Sequence, residues 1–244
     1  MSNYSIVVGV EQLNAKQARA AQTRRRMVDA AYKLFADLGY QGTTMAAVAE
    51  KADVAGQTVY FTFHSKAELL QEVMINARTW GDEPQVVEDR RWFSDALEVN
   101  DQRRALAITC EGGVDIFRGL APLAQTMVAA ELVDPDVAVT MDAIRSQRRK
   151  AMSQLVESLA ANGPLAVPST DAVDVIDVVL STATFNAFTT DRGWPVDKFK
   201  AWAYLALTQL VPRLPPARAL RADLAATADR TYHQALAEMI GPPD

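Results

Sequence analysis

A chain of 244 residues with 49% hydrophobic residues is long enough for one large domain or two ordinary ones, and it can bury a sizeable core. A single cysteine, Cys110, excludes an internal disulfide framework, and two histidines, His64 and His233, form no cluster with metal-ligand spacing, so neither a metal nor another cofactor is expected. The net charge of −5 is unevenly spread: residues 1–70 hold eight Lys and Arg against six Asp and Glu, which leaves −7 for the remainder. A basic end on an acidic body fits a protein that meets nucleic acid through its N-terminal part alone.

Residues 1–20 are polar and weakly patterned, and a flexible basic arm is expected there, leading into Gln22-Thr23-Arg24-Arg25-Arg26. Met27, Ala31, Leu34, Phe35 and Leu38 then recur at helical spacing, with Gly39 where a left-handed C-terminal cap is wanted. Thr43 or Thr44 can cap a second short helix carrying Met45, Val48, Ala49 and Ala52, and a third runs from about Gly56 to Thr62 after a break at Asp53 and Val54. Ser65 followed by Glu68 is a capping-box pattern ahead of Leu69, Leu70, Val73 and Met74, which starts a fourth helix.

The stretch Gly81 to Asn100 reads as a loop with a short helix around Trp92 to Leu97. Helical patterning resumes over 103–118, 122–132, 135–161, 171–190, 195–211 and 217–239, three of these beginning at a proline, where the missing N–H costs nothing. No segment alternates as a strand. The longest apolar run falls well short of a membrane span and the N-terminus lacks a cleavable leader pattern, so a soluble cytoplasmic protein without a membrane partner is expected.

Three short helices followed by a longer one, with a tight turn between the second and third, is the arrangement of a helix-turn-helix. Val59 and Phe63 share one face of the third helix and are expected to pack on Phe35 and Val48. The opposite face then offers Gln57, whose amide can pair with adenine, Thr58, which can meet a phosphate or a thymine methyl, and Phe61, which can touch a thymine methyl. Tyr60 can give its hydroxyl to a phosphate. Thr44 and Lys66 stand where backbone contacts usually flank the groove.

The run Arg26-Met27-Val28-x-Ala30-Ala31-x-x-Leu34-Phe35-x-x-x-Gly39-Tyr40, then Thr43-Thr44-x-x-x-Val48-Ala49, then Thr58-Val59-Tyr60-x-x-Phe63-x-Ser65-Lys66-x-x-Leu69-Leu70, resembles the TetR family DNA-binding domain over residues 24–70. The resemblance implies an all-α fold: an N-terminal three-helix helix-turn-helix domain (21–66), a helical ligand-binding and dimerisation domain (67–212) and here a C-terminal helical extension (213–244). It implies Thr44, Gln57, Thr58, Tyr60, Phe61 and Lys66 as DNA contacts, joined by Arg24 from the adjoining arginine run. Asp53 stands where the family has a turn glycine, Ala55 where it has a serine cap, and Gln57 where it often has glycine.

Two half-sites of a pseudo-palindromic operator, about 34–36 Å apart, call for a homodimer. Val175, Ile176, Val179, Leu180, Ala183 and Ala187 on one segment, and Trp202, Leu205, Ala206 and Leu210 on the next, look like the family's paired dimerisation helices. Family effector pockets lie among the central helices, and Phe117, Met127, Met141, Phe185 and Phe188 are candidates to line one, although such residues are more often core. Gly112 and Gly113 can open space or bend their helix. The expectation is a repressor released from its operator by a small-molecule effector of unknown identity. No nucleophile elbow, phosphate loop or clustered acid and base points to an enzyme. The alternative is a helical co-regulator that keeps the fold without specific DNA binding, which the three departures would suit.

Overall fold

Helical periodicity becomes helix in the computed structural model, which describes residues 3–79 and 87–212. The helices are α1 (Asn3–Gly42), α2 (Met45–Lys51), α3 (Gly56–Thr62), α4 (Lys66–Thr79), α5 (Arg91–Glu98), α6 (Gln102–Leu120), α7 (Ala124–Val133), α8 (Pro135–Ala161), α9 (Ser169–Val179), α10 (Thr182–Thr189) and α11 (Val196–Leu210). Short 3-10 turns lie at Val87–Asp89 and Ala121–Leu123. Among the described residues there is no strand, only an isolated bridge between Leu165 and Pro212. The helix expected over 217–239, and the C-terminal extension 213–244 with it, lies outside the described residues.

The backbone is helical from Asn3, in place of the flexible arm expected over 1–20. No proline interrupts residues 3–26, and Ala15-Lys16-Gln17-Ala18-Arg19-Ala20-Ala21-Gln22 is a run of strong helix formers, so α1 has no reason to start later. The helix breaks at Gly39, whose φ of 71° and ψ of −178° suit glycine alone.

The chain divides into two compact units, 1–81 with 125–140 and 82–124 with 141–244. In unit 1 the core is built from Met27, Val28, Ala31 and Phe35 of α1, Val48 of α2, Val59 and Phe63 at α3, and Leu69, Leu70 and Val73 of α4, all buried. The N-terminal unit therefore extends beyond the 21–66 expected, taking in α4 and α7. Two long-range bonds explain the second addition: the Thr126 hydroxyl donates to the Phe35 carbonyl at 2.5 Å, and the Tyr40 hydroxyl donates to Asp134 Oδ2 at 2.5 Å.

Unit 2 buries Phe93 and Ala96 of α5, Leu106, Cys110, Val114 and Phe117 of α6, Leu155 and Leu159 of α8, Ile176 of α9 and Phe199 and Leu207 of α11. Residues 102–133 contain a window of mean hydropathy 1.2 that is long and apolar enough to cross a membrane. Its inward face is the core just described, which is the usual origin of such a window in a globular fold.

The single helix expected over 171–190 is broken between α9 and α10. Ser181 caps the second piece by accepting from the Thr184 N–H at 3.1 Å. At the end of the first piece, Arg148 of α8 donates to the Asp177 carbonyl at 2.8 Å, to the Leu180 carbonyl and to the Asp177 carboxylate. An arginine thus satisfies carbonyls that helix termination would leave unpaired.

Candidate nucleic-acid interface

The turn between α2 and α3 decides whether a recognition helix can be presented, and its chemistry is local. The Asp53 N–H donates to the Glu50 carbonyl at 3.1 Å and the Val54 N–H to the Ala49 carbonyl at 3.0 Å. This pair of bonds is a Schellman motif, and it requires a left-handed residue at Asp53, which has φ 53°. Aspartate is among the few side-chain-bearing residues that visit this region readily, so the turn survives without glycine. Ala55 gives α3 no side-chain cap, yet the helix still begins at Gly56. Thr44 caps α2, its hydroxyl oxygen accepting from the Ala47 N–H at 3.1 Å. Ser65 does the same for α4, accepting from the Glu68 N–H at 3.1 Å.

These caps fix the faces of α3. Val59 is fully buried, Phe63 nearly so, and Gln57, Tyr60 and Phe61 point to water, Tyr60 56% and Phe61 85% exposed. Gln57, Tyr60 and Phe61 stand at i, i+3 and i+4, which puts them on one side of the helix. A phenylalanine that exposed gains nothing from folding. Thr58 is half-buried at the edge of this face, and its carbonyl accepts from the Thr62 hydroxyl at 2.7 Å.

Two of the expected contacts already have partners within unit 1. The Lys66 ammonium donates to the Tyr40 carbonyl at 2.9 Å and the Thr43 carbonyl at 3.2 Å, and lies 4.2 Å from the centre of the Tyr40 ring. It closes the end of α1, as the Thr43 hydroxyl does by donating to the Gly39 carbonyl at 2.8 Å. Arg24 forms a two-pronged pair with Glu72, 3.1 Å at each prong, and its guanidinium lies 4.7 Å from the Phe63 ring centre. Both side chains brace the helix-turn-helix from behind. Neighbouring Arg25 and Arg26 are exposed. Burial raises the Tyr40 hydroxyl well above its ordinary pKa, and the bond to Asp134 adds to this, so the phenol stays protonated.

Of the five residues expected to line an effector site, four belong to unit 2 and one to unit 1. Phe117 and Phe185 are buried in unit 2 with ring centres 6.3 Å apart, and Phe188 is half-buried there against Trp202 at 4.3 Å and Trp194 at 4.6 Å. Met141 is half-buried at the edge of the same unit, whereas Met127 is buried in unit 1. Phe199, 5.2 Å from Phe185, joins the rings without having been expected there; its i, i+3 spacing from Trp202 is the signal the sequence offers. The residues expected on a dimerisation face divide between core and surface. Ile176, Val179 and Leu180 lie in the core of unit 2, while Val178, Ala183 and Leu210 are exposed.

The described residues are helical and present an exposed Gln57-Tyr60-Phe61 face on the second helix of a helix-turn-helix, the architecture of that class of DNA-binding domain. Residues 27–73 match the family described as "Bacterial regulatory proteins, tetR family". It is 43% identical over 60 residues, a quarter of its length and 22% of the relative's, to the A-factor receptor protein of Streptomyces griseus. It is 28% identical over 135 residues, 54% of this chain and 60% of the other, to a probable HTH-type transcriptional regulator, ArpR, of Pseudomonas putida. The curated relatives are thus matched over 22 to 60% of their own length. Among solved structures, a putative transcriptional regulator of Saccharomonospora viridis in complex with choline has a TM-score of 0.62 at 15% identity, covering 80% of this chain and 100% of that one. NalD, the secondary repressor of the MexAB-OprM multidrug efflux pump in Pseudomonas aeruginosa, gives 0.58 at 18% identity, covering 80% and 98%. At such identities the likeness is one of fold.

Proposed function

We propose that the protein is a sequence-specific transcriptional regulator that binds a pseudo-palindromic operator as a homodimer, acts as a repressor in the cytoplasm, and leaves DNA when unit 2 takes up a small molecule. The observation that carries this reading is the outward face of α3. Gln57 and Phe61 are the base readers, an amide for adenine and a ring for a thymine methyl. Tyr60 and Thr44 reach phosphates and set the register. Lys66 and Arg24 hold α3 and α4 on α1, so their part in DNA binding is support, and the exposed Arg25 and Arg26 supply the electrostatic attraction instead.

Dimerisation falls to the exposed and half-buried apolar residues of α9 to α11, Val178, Ala183, Trp202, Leu205 and Leu210. The effector acts by binding better to the form of the dimer that cannot span successive major grooves, and the coupling is reciprocal: operator DNA must weaken effector binding by the same factor. The names of the relatives, a repressor and a choline-bound regulator among them, agree with this reading. The test is titration of the full chain onto the DNA beside its own coding region over a salt series, with sedimentation of the free protein. Expected are salt-sensitive binding with a sequence preference and a dimer at micromolar concentration. Equal affinity for all DNA, or a monomer, would overturn it.

A further inference from the structure

One stretch of unit 1 is exposed, cationic and continuous with the scaffold that holds α3. Between Glu11 and Asp29 the sequence has five cations, Lys16, Arg19, Arg24, Arg25 and Arg26, and no acid. Residues 17–22 are all exposed, so this part of α1 adds nothing to the core. It needs no nucleus of its own, because it continues a helix whose Met27, Val28 and Phe35 are buried. Arg24 has its partner in Glu72, whereas Arg19, Arg25 and Arg26 are exposed and form no ion pair among the described residues.

The packing of Arg24 fixes where this helix leaves the domain. Its guanidinium lies 4.7 Å from the ring centre of Phe63, which closes α3, and pairs with Glu72 of α4 at 3.1 Å. α1 therefore passes the end of the recognition helix two residues beyond Phe61, which is 85% exposed. Arg19 stands five residues further back along α1, about 7.5 Å at the helical rise. Arg19 and Arg26 are seven residues apart and share one side of the helix, about 10 Å from each other, the span of about three phosphates along a DNA strand. A helix holds this spacing, and a coil would not.

We infer that the N-terminal continuation of α1 is a second DNA-binding element, a rigid cationic helix that lies along the phosphate backbone beside the groove entered by α3, with Arg19 and Arg26 on phosphates. This rests on the reading of α3 as the recognition helix and adds a contact outside it. The charge selects a polyanion as partner, and continuity with the outward face of α3 selects DNA over an acidic protein. A guanidinium suits a phosphate, to which it can give two N–H bonds at once. Contacts of this kind read no bases; they add affinity and fix orientation.

The experiment uses the full chain, as wild type, Arg19→Gln and Ala20→Pro, on the DNA beside its own coding region and on unrelated DNA of equal length. Arg91→Gln in unit 2, where the side chain is 94% exposed, is the control for losing an arginine elsewhere. Affinity is measured over a salt series, and hydroxyl-radical footprints are taken on the same samples. Expected for Arg19→Gln is a slope of log K on log salt shallower by about 0.9 per subunit, with binding weakened about tenfold or more at about 0.1 M salt. Backbone protection beside the groove read by α3 should be lost with it, and Arg91→Gln should match wild type. Ala20→Pro sets a proline where it can open a helix but not continue one, so the core stays folded while the continuation loses its alignment. It should reproduce the Arg19→Gln loss at an unchanged Tm. An unchanged slope and footprint in Arg19→Gln, an equal loss in Arg91→Gln, or wild-type binding by Ala20→Pro would overturn the inference. Sequence-preferring binding that Arg19→Gln leaves intact rejects this inference and spares the reading of α3. A loss in Arg19→Gln on both DNAs, with no preference between them in wild type, supports the second element and rejects α3 as the reader of sequence.

Discussion

Replacing Lys66 with methionine keeps the apolar stem and deletes the cation that closes α1. Two hydrogen bonds are lost, at 2.9 Å to the Tyr40 carbonyl and 3.2 Å to the Thr43 carbonyl, together with the ammonium 4.2 Å from the Tyr40 ring centre. Hydrogen bonds to a charged group are worth about 1.5–3 kcal/mol each, and an exposed cation over a ring about 0.5–1 kcal/mol. Lys66 is only half-buried, so water can reach the abandoned carbonyls, and the net loss should be about 2 kcal/mol. In a chain of this size that corresponds to a fall in Tm of about 4–8 °C. The assay is thermal unfolding followed by far-ultraviolet circular dichroism, paired with a salt series on DNA. If Lys66 were instead a phosphate contact with no structural part, Tm would hold within about 1 °C and the slope of log K on log salt would become shallower by about 0.9 per subunit. That outcome would refute the capping role.

Gly112→Ala puts a Cβ into the indole of Trp92, which lies flat on the α6 backbone, and should cost about 3 kcal/mol by overpacking, read as a lower urea midpoint. Gly113→Ala, one residue on, should be neutral or stabilising by about 0.5–1 kcal/mol, since alanine favours helix and meets nothing closer than 4.0 Å; equal losses at both positions would contradict the geometry. Burial raises both Tyr40, with Asp134 adding to it, and the Cys110 thiol above their ordinary pKa values. The folded state therefore resists an ionisation that the unfolded chain undergoes near pH 8.5–10, roughly, so stability is full below that range and falls as pH rises through it. Tyr40→Phe should lose about 1 kcal/mol at neutral pH and flatten the alkaline decline, and an unchanged decline would count against the buried phenol. Cys110 should react with a thiol reagent only at the rate of unfolding, and rapid labelling of the native protein would disprove its burial.

Features set by neighbours in sequence are legible in the chain itself. Helices α3 and α8 have the expected limits, because a turn residue or a first-turn proline defines each start. The Ser65 cap of α4 and the left-handed Asp53 follow from side-chain chemistry within five residues. Features set at a distance are not legible there. Arg148 reaches 29 residues to end α9, and the helical period of 171–190 carries no trace of it. Thr126 and Asp134 tie α7 to Phe35 and Tyr40 across more than 90 residues, which moves the unit boundary. The same holds at the site. The outward face of α3 follows from its period, but the internal partners of Arg24 and Lys66 lie 48 and 26 or fewer residues away, and a cation beside a DNA-binding motif reads as a DNA contact when those partners are out of view.

Gln57 and Phe61 are the proposed base readers. The most direct measurement is the affinity of wild type, Gln57→Ala and Phe61→Ala for the preferred operator and for unrelated DNA of equal length at fixed salt, by fluorescence anisotropy. Each variant should lose about 1–3 kcal/mol per half-site on the operator, hold its affinity for unrelated DNA and keep its Tm, because both side chains are exposed. If operator and unrelated DNA were weakened alike, or neither were affected, α3 would not be the element that reads sequence.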